Sequence, residues 1–314
     1  IKNVLSIHNK NHTPIDWYNN LDFDRTSYLY IKEFNSLNNT ITLDGEVLEN
    51  NISSTNGRNV YELSNNNNEP YILFNFVQKW GYGYYHFICE ILPKILLLID
   101  NISNDLFKNV KIKLLLYFND TFILNTLQSI PNISNYVEII PYNFNYDYRL
   151  INIKLYQVTP TIFGNPSREC IQLIRKYLVH HKAQAASYCI IIKRKETDRS
   201  ISNFDDMVQN IKTQYPNENW IIFDSDTMLN TIQLFNNAKL VIGMHGAGLS
   251  NIVFANQDIP VLEFVPANNF NCCYWHLANV MKQQYIMMPI LNYDGNNSIS
   301  IDINQLNKYL NHIF

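Results

Sequence analysis

The chain has 314 residues, 46% of them hydrophobic and 13% aromatic, with a formal net charge of −3. That length exceeds the size at which one core usually stops growing, so two domains are expected. The composition excludes global disorder, and the slight acidity argues against nucleic acid as the main partner. No apolar run reaches the roughly 18–20 residues of a membrane helix. The longest candidate, Phe87 to Ile99, is interrupted by Glu90, Pro93 and Lys94. The five cysteines (Cys89, Cys170, Cys189, Cys272 and Cys273) are odd in number and form no CxxC pair. They indicate neither a zinc site nor a disulfide framework, and favour a reducing, cytoplasmic compartment. Because the chain starts at Ile1, removal of a leader or anchor stays open. The sequons Asn11-His-Thr and Asn51-Ile-Ser carry little weight in a chain rich enough in asparagine to include the run Asn65–Asn68.

In chain order, residues 1 to 70 read as irregular, with strand-like pieces at Ser27–Ile31 and Thr40–Leu43. Strands are expected at Tyr71–Phe76, Lys111–Tyr117, Val137–Pro141 and Lys154–Gln157, with helices at Tyr85–Leu98 and Phe122–Gln128. Gly164-Asn-Pro166 is a turn and the preferred domain boundary, dividing the chain into 1–165 and 166–314. Helices then follow at Ser167–His180, Phe204–Lys212, Thr227–Asn236 (capped by Asp226) and Tyr274–Lys282, with another opening over Gly248–Phe254. Between them lie strands at Ser187–Ile192, Trp220–Phe223, Lys239–Ile242 and Val261–Val265. Such strand–helix alternation predicts an α/β protein of two Rossmann-like domains facing a cleft, the last helix able to pack back on the first domain.

Three stretches carry chemistry. In Trp80-Gly-Tyr-Gly-Tyr-Tyr-His86-Phe-Ile-Cys-Glu90, His86 and Glu90 are four apart and share a helix face. A carboxylate that orients an imidazole makes a general base, although a histidine packed among aromatics reads the same way. In Ile190-Ile-Ile-Lys-Arg194-Lys-Glu-Thr-Asp-Arg199, both arginines lie just beyond a buried strand, where their forks suit phosphate oxygens. A solvated charged loop is the plainer alternative. In Gly243-Met-His245-Gly246-Ala247-Gly248-Leu249, a strand ends in glycines before a helix. The first N–H groups of that helix attract phosphate, Gly246 and Gly248 let a pyrophosphate come close, and His245 can donate a further bond. A tight turn with no ligand explains the glycines equally well. An esterase is set aside because no G-x-S-x-G occurs. Asp224-Ser-Asp226 and Asp22-Phe-Asp24 fit a metal-binding Asp-x-Asp, but the first is read as a cap, and no metal or other cofactor is expected.

Together and in this order, the stretches resemble glycosyltransferase family 61. That family shows His-Phe, an acidic residue and Leu-Pro, here His86-Phe87, Glu90 and Leu92-Pro93. It shows two arginines and an asparagine after a strand, here Arg194, Arg199 and Asn203. It shows Gly-x-His-Gly-Ala-Gly-Leu and then an acidic residue before proline, here Gly243 to Leu249 and Glu263 before Pro266. The resemblance runs from about residue 75 to 290. Where the family usually carries an asparagine, this chain has Gly81-Tyr-Gly-Tyr-Tyr85.

The resemblance implies a GT-B fold and an inverting transfer from a nucleotide sugar, usually UDP-linked (UDP-GlcNAc or UDP-xylose, for instance), to a protein or glycan hydroxyl. Arg194, Arg199 and the backbone of Gly246, Ala247, Gly248 and Leu249 would stabilise the departing diphosphate without a metal. Asn203 and His245 would join the donor site, and Glu263, expected at a strand end, would accept from ribose hydroxyls. His86 would be the base and Glu90 its orienter, though either carboxylate or imidazole fits the first role. The competing readings are a catalytically inactive sugar-nucleotide- or glycan-binding module and an interaction protein built on the aromatic-rich first 140 residues.

Overall fold

The computed structural model describes residues 5–7, 29–34, 38–42, 45–49, 59–65, 70–102, 110–117, 121–158, 166–179, 186–194, 200–266, 271–290 and 298–314. The protein is a mixed α/β chain that divides into two compact units, Ile1–Leu173 and Ile174–Phe314. Among the described residues, no helix is long and apolar enough to cross a membrane.

The first unit contains strands β1 (Leu5–Ile7), β2 (Leu29–Phe34), β3 (Asn38–Ile41), β4 (Val47–Glu49), β5 (Asn59–Ser64), β6 (Tyr71–Asn75), β7 (Lys111–Tyr117), β8 (Glu138–Tyr142), β9 (Tyr146–Ile151) and β10 (Lys154–Val158). A six-stranded sheet runs β1-β2-β10-β6-β7-β8, parallel except where β10 meets β2. Its central strand β6 is buried at every position, as expected of a strand covered on both faces. A second sheet runs β4-β3-β9-β5, of which the strand-like Thr40–Leu43 of the sequence overlaps β3. Most of β5 is exposed or half-exposed, so pairing with β9 rather than apolar periodicity makes it a strand.

The helix expected over Tyr85–Leu98 is not uniform. It starts as a single turn, α1 (Tyr84–His86), widens to a π-helix over Phe87–Ile91, and continues as α2 (Leu92–Ile102). Pro93 has no N–H, and its ring crowds the carbonyl four residues back, on Cys89. The wide turn, closed by Leu92 N–H to Phe87 O, accommodates it without ending the helix. Helix α3 (Thr121–Gln128) follows, and α4 (Arg168–Leu178) contains the division between the units.

The second unit alternates β11 (Tyr188–Ile192), β12 (Ser200–Ile201), α5 (Phe204–Gln214), β13 (Asn219–Phe223), α6 (Met228–Asn236), β14 (Ala238–Met244), β15 (Pro260–Pro266), α7 (Cys273–Met281), β16 (Gln284–Ile290), β17 (Ser298–Ile299) and α8 (Ile303–Ile313). Its five-stranded sheet, β13-β11-β14-β15-β16, is parallel throughout. The core beneath it gathers Cys189, Ile191, Leu240, Ile242, Leu262 and Phe264 from strands and Met207, Ile211, Leu306 and Leu310 from α5 and α8. The amphipathic α8 thus buries its apolar stripe inside this unit.

Two local expectations change. The cap of α6 is Thr227, whose hydroxyl accepts from Asn230 N–H at 3.3 Å, while Asp226 accepts from Thr227 N–H at 2.6 Å. The segment after β14 is a 3₁₀ helix, Ala247–Phe254, not an α-helix. Leu249 to Phe254 are all buried there, so packing rather than propensity sets its winding.

Candidate functional site

In the first unit, the π turn brings His86 and Glu90 together. Glu90 is 1% exposed, and its Oε2 accepts from His86 Nδ1 at 2.9 Å and from Gln78 Nε2 at 3.1 Å. A carboxylate can only accept, so Nδ1 carries the hydrogen, and in the neutral imidazole Nε2 is then the basic nitrogen. His86 is half-buried, with its ring 5.7 Å from that of Trp80 and 5.5 Å from that of Tyr85. The arrangement is an oriented imidazole with a basic nitrogen. Gln78, invisible to spacing arguments, is the second donor on Glu90.

In the second unit, strand register assembles the other cluster. Ile192 pairs with Gly243, and Gly243 with Glu263, so the ends of β11 and β14 lie beside the middle of β15. Arg194, two residues past β11, donates from Nη1 to the His245 carbonyl at 3.0 Å. A Cβ on Gly246 would lie 1.8 Å from that Nη1, and one on Gly248 would lie 2.8 Å from Ile192 Cγ2. A Cβ on Gly243 would touch Ile192 and Leu249 at 3.3 Å. The three glycines therefore make room for the end of β11, and the guanidinium is carried across the turn.

The first bond of the 3₁₀ helix runs from Leu249 N–H to Gly246 O at 2.9 Å. The N–H groups of Gly246, Ala247 and Gly248 precede that bond and have no partner within the helix. At the other end, Arg175 Nη1 donates to the carbonyls of Val253 and Ala255 at 3.2 and 2.6 Å. A cation there complements the negative pole of the helix.

Glu263 is fully buried in the middle of β15, not at a strand end, which continues to Pro266. Its Oε1 accepts from His245 Nδ1 at 2.5 Å and its Oε2 from Tyr285 Oη at 2.6 Å. Val261 pairs with Tyr285, which makes Tyr285 the diagonal neighbour of Glu263 on the same face. A chain of polar groups thus crosses β16, β15 and the end of β14. Burial first, then the Glu263 charge, pushes the Tyr285 hydroxyl far above its ordinary range, so it remains a neutral donor. Burial, and after it the Glu263 charge, also raise the Cys272 thiol, against a backbone hydrogen bond that lowers it. Tyr274 meets His245 edge-on, with ring centroids 5.1 Å apart.

Asn203 precedes α5, and its amide is engaged elsewhere. Nδ2 donates to Ile301 O and Oδ1 accepts from Ile301 N–H, both at 2.9 Å. Arg199 and the Asp22-Phe-Asp24 motif lie outside the described residues. Asp226 of the other Asp-x-Asp motif also accepts from Asn230 Nδ2 at 2.9 Å. Among the described residues, no three His, Cys, Asp or Glu side chains gather in a way that would hold a metal ion.

The sequence profile of the family described as Glycosyltransferase 61 matches residues 84–262, more than half of the chain. The chain belongs to glycosyltransferase family 61. The matched span opens on the helix that carries His86 and Glu90 and includes Arg194 and the glycine turn. As a family 61 glycosyltransferase, the protein acts on a sugar donor and an acceptor. No curated protein shows significant similarity to it.

Proposed function

We propose that this family 61 chain is an inverting, metal-independent glycosyltransferase of GT-B architecture. The second unit binds a UDP-sugar and the first supplies the base. One observation carries the donor assignment: the Arg194 guanidinium lies across Gly246 at the N-terminal end of an eight-residue helix. Departure of UDP builds negative charge on the β-phosphate. A guanidinium and N–H groups without intrahelical partners are the groups that stabilise such charge in place. Arg199 adds a second cation in this reading.

Glu263 acts on His245 rather than on ribose in this reading, because it is fully buried and each of its oxygens is directed to a protein donor. Donating from Nδ1 to Glu263 fixes the orientation of the His245 ring, and His245 joins the donor site in this reading. Asn203 holds the start of α5 through Ile301 and supports the donor site indirectly.

The transfer is a single displacement. The acceptor hydroxyl oxygen bonds to the anomeric carbon as the bond from that carbon to the β-phosphate oxygen breaks, and configuration inverts. His86 Nε2 takes the hydroxyl proton, and Glu90 stabilises the resulting imidazolium through Nδ1–H. UDP leaves with the electron pair. UDP-GlcNAc and UDP-xylose are the donors to try first, with a protein or glycan hydroxyl as acceptor. Metal independence rests on the phosphate cations named above and on Asp226, which accepts from Thr227 N–H and Asn230 Nδ2.

A thermal-shift panel with UDP, GDP, CMP and both UDP-sugars, with EDTA or with manganese, tests this. Ligand at a hundred times its Kd stabilises the folded state by about 2.7 kcal/mol. A rise in midpoint with UDP that survives EDTA is expected. No rise with any nucleotide sinks the donor site, and a rise that needs manganese overturns metal independence.

A further inference from the structure

We propose that Trp80 and Tyr82 form a carbohydrate platform beside His86, which seats a pyranose ring of the acceptor. This deepens the reading of His86 as the base and rests on it.

Trp80 has φ 61°, in the left-handed region that a bulky side chain seldom adopts. Trp80 is 45% exposed, and Tyr82, two residues on, is 52% exposed. An exposed tryptophan on a strained backbone is unfavourable on two counts at once. Strain of this kind collects where function over-determines the local structure.

The loop that holds the two rings is built rather than loose. Gly81 N–H donates to Gln78 O at 3.0 Å and Gly83 N–H to Trp80 O at 2.8 Å. A Cβ on Gly81 would meet Ile91 Cδ1 at 2.8 Å, so the turn is seated against the π-helical segment itself. Gln78 at its start donates to Glu90, and Phe87 N–H donates to Gly83 O at its end. The Trp80 ring is tilted 34° to the imidazole of His86 at 5.7 Å, and the Tyr82 ring stands edge-on to Tyr117 at 5.7 Å. The aromatic surface and the basic nitrogen are therefore parts of one rigid element.

The chemistry favours a sugar over a bare peptide. One face of a pyranose presents C–H bonds that pack on an aromatic face, while its hydroxyls point outward to polar partners. Lys79 Nζ lies over the Trp80 ring, 4.9 Å from its centroid, so a sugar stacked on that face displaces a flexible side chain whose ammonium can then turn to the sugar's hydroxyls. A sugar ring seated there holds a hydroxyl near His86, the positioning an intermolecular displacement needs.

The test uses the whole chain labelled with 5-fluorotryptophan, whose four tryptophan resonances are assigned with Trp80→Phe. Xylotetraose, mannotetraose and N-acetylchitotetraose are titrated, with an unglycosylated Ser/Thr peptide as control. We expect at least one saccharide to move the Trp80 resonance saturably. Trp80→Gly should weaken its binding by about tenfold or more, a loss of the size one stacked ring supplies. Because glycine adopts φ 61° freely, the same variant should unfold no earlier than the parent, which a purely structural tryptophan would not allow. Tyr82→Ala, at an exposed position, should weaken binding severalfold and keeps the test open should Trp80→Gly not fold.

Equal saccharide affinity in both variants and parent overturns the platform, as does movement of the Trp80 resonance by the peptide alone or by none of the probes. The UDP midpoint shift is read in the same samples. A retained shift without Trp80-dependent saccharide binding removes the platform and leaves the donor reading. Trp80-dependent saccharide binding without a UDP shift supports the platform and removes the transferase donor site.

Discussion

A Cβ added to Gly246 would fall 1.8 Å from Nη1 of Arg194, the same nitrogen that donates to the His245 carbonyl. The glycine and the arginine are one device, since the first is bare so that the second can cross it. Gly246→Ala should therefore act on function more than on stability. The guanidinium is the far end of a flexible side chain and can swing away, at a cost of about 1 kcal/mol in the unfolding free energy. The UDP-induced midpoint shift should fall to near zero. A full UDP shift in this variant would detach Arg194 from donor binding.

Gly248→Ala is the contrasting case. Its Cβ would meet Ile192 Cγ2, a buried branched side chain in the centre of the sheet edge that cannot swing. Overpacking of this kind costs about 1–3 kcal/mol. The urea midpoint should drop accordingly, with UDP affinity per folded molecule changed less than in Gly246→Ala.

His86→Ala and Glu90→Gln separate binding from turnover. Loss of a general base lowers kcat by about 10²–10⁴-fold. Both variants should keep the UDP midpoint shift, because the groups assigned to the donor are in the other unit. Glu90→Gln should be the milder, since the amide still orients the ring but no longer balances the imidazolium. Unchanged turnover in His86→Ala would move the base elsewhere and favour the inactive-module reading of this histidine.

Tyr285 links the Glu263–His245 cluster to alkaline stability. Burial and the Glu263 charge raise its hydroxyl in the folded state, whereas in the unfolded chain it ionises near its ordinary value of about 10. A raised folded value contributes stability that is complete below pH 10 and is lost as pH rises above it. Tyr285→Phe removes that loss but leaves Glu263 Oε2 without its donor, at about 1–3 kcal/mol. Urea midpoints at pH 8 and pH 10.5 should therefore differ less in the variant than in the parent, from a lower start. An equal alkaline drop in both proteins would show that Tyr285 does not carry it.

Asn203→Ala should destabilise without touching the donor. The paired bonds to Ile301 tie the start of α5 to the segment before α8, so their loss should cost about 1–3 kcal/mol. UDP affinity measured well below the midpoint should stay within a factor of two or so. A large loss of UDP affinity with normal stability would return Asn203 to the donor site itself.

Much of the second unit is legible along the chain because its strands are short apolar runs between helices of regular spacing. β11, β13 and β15 fall within two residues of their expected bounds. The pairing of His86 with Glu90 is also local, a matter of four residues on one coil. In the sheet that contains β5, the strand-like Thr40–Leu43 overlaps β3, but β5 has no buried position, and a strand of that kind is made by its partner. The π turn was not legible either, since it follows from the clash of one proline with a carbonyl four residues earlier.

By itself, the sequence determined the family, the α/β alternation and which stretches carry the chemistry, since apolar period and motif order are properties of neighbours along the chain. Only the tertiary structure decided what the motif residues do for one another. Gly246 answers to Arg194 and Gly248 to Ile192, each more than fifty positions away, and Glu263 answers to Tyr285 on the next strand. Those partnerships are set by the register of parallel strands, where residues far apart in sequence come side by side. A space argument for glycine or a hydrogen-bond account for a carboxylate needs that register before it can be made.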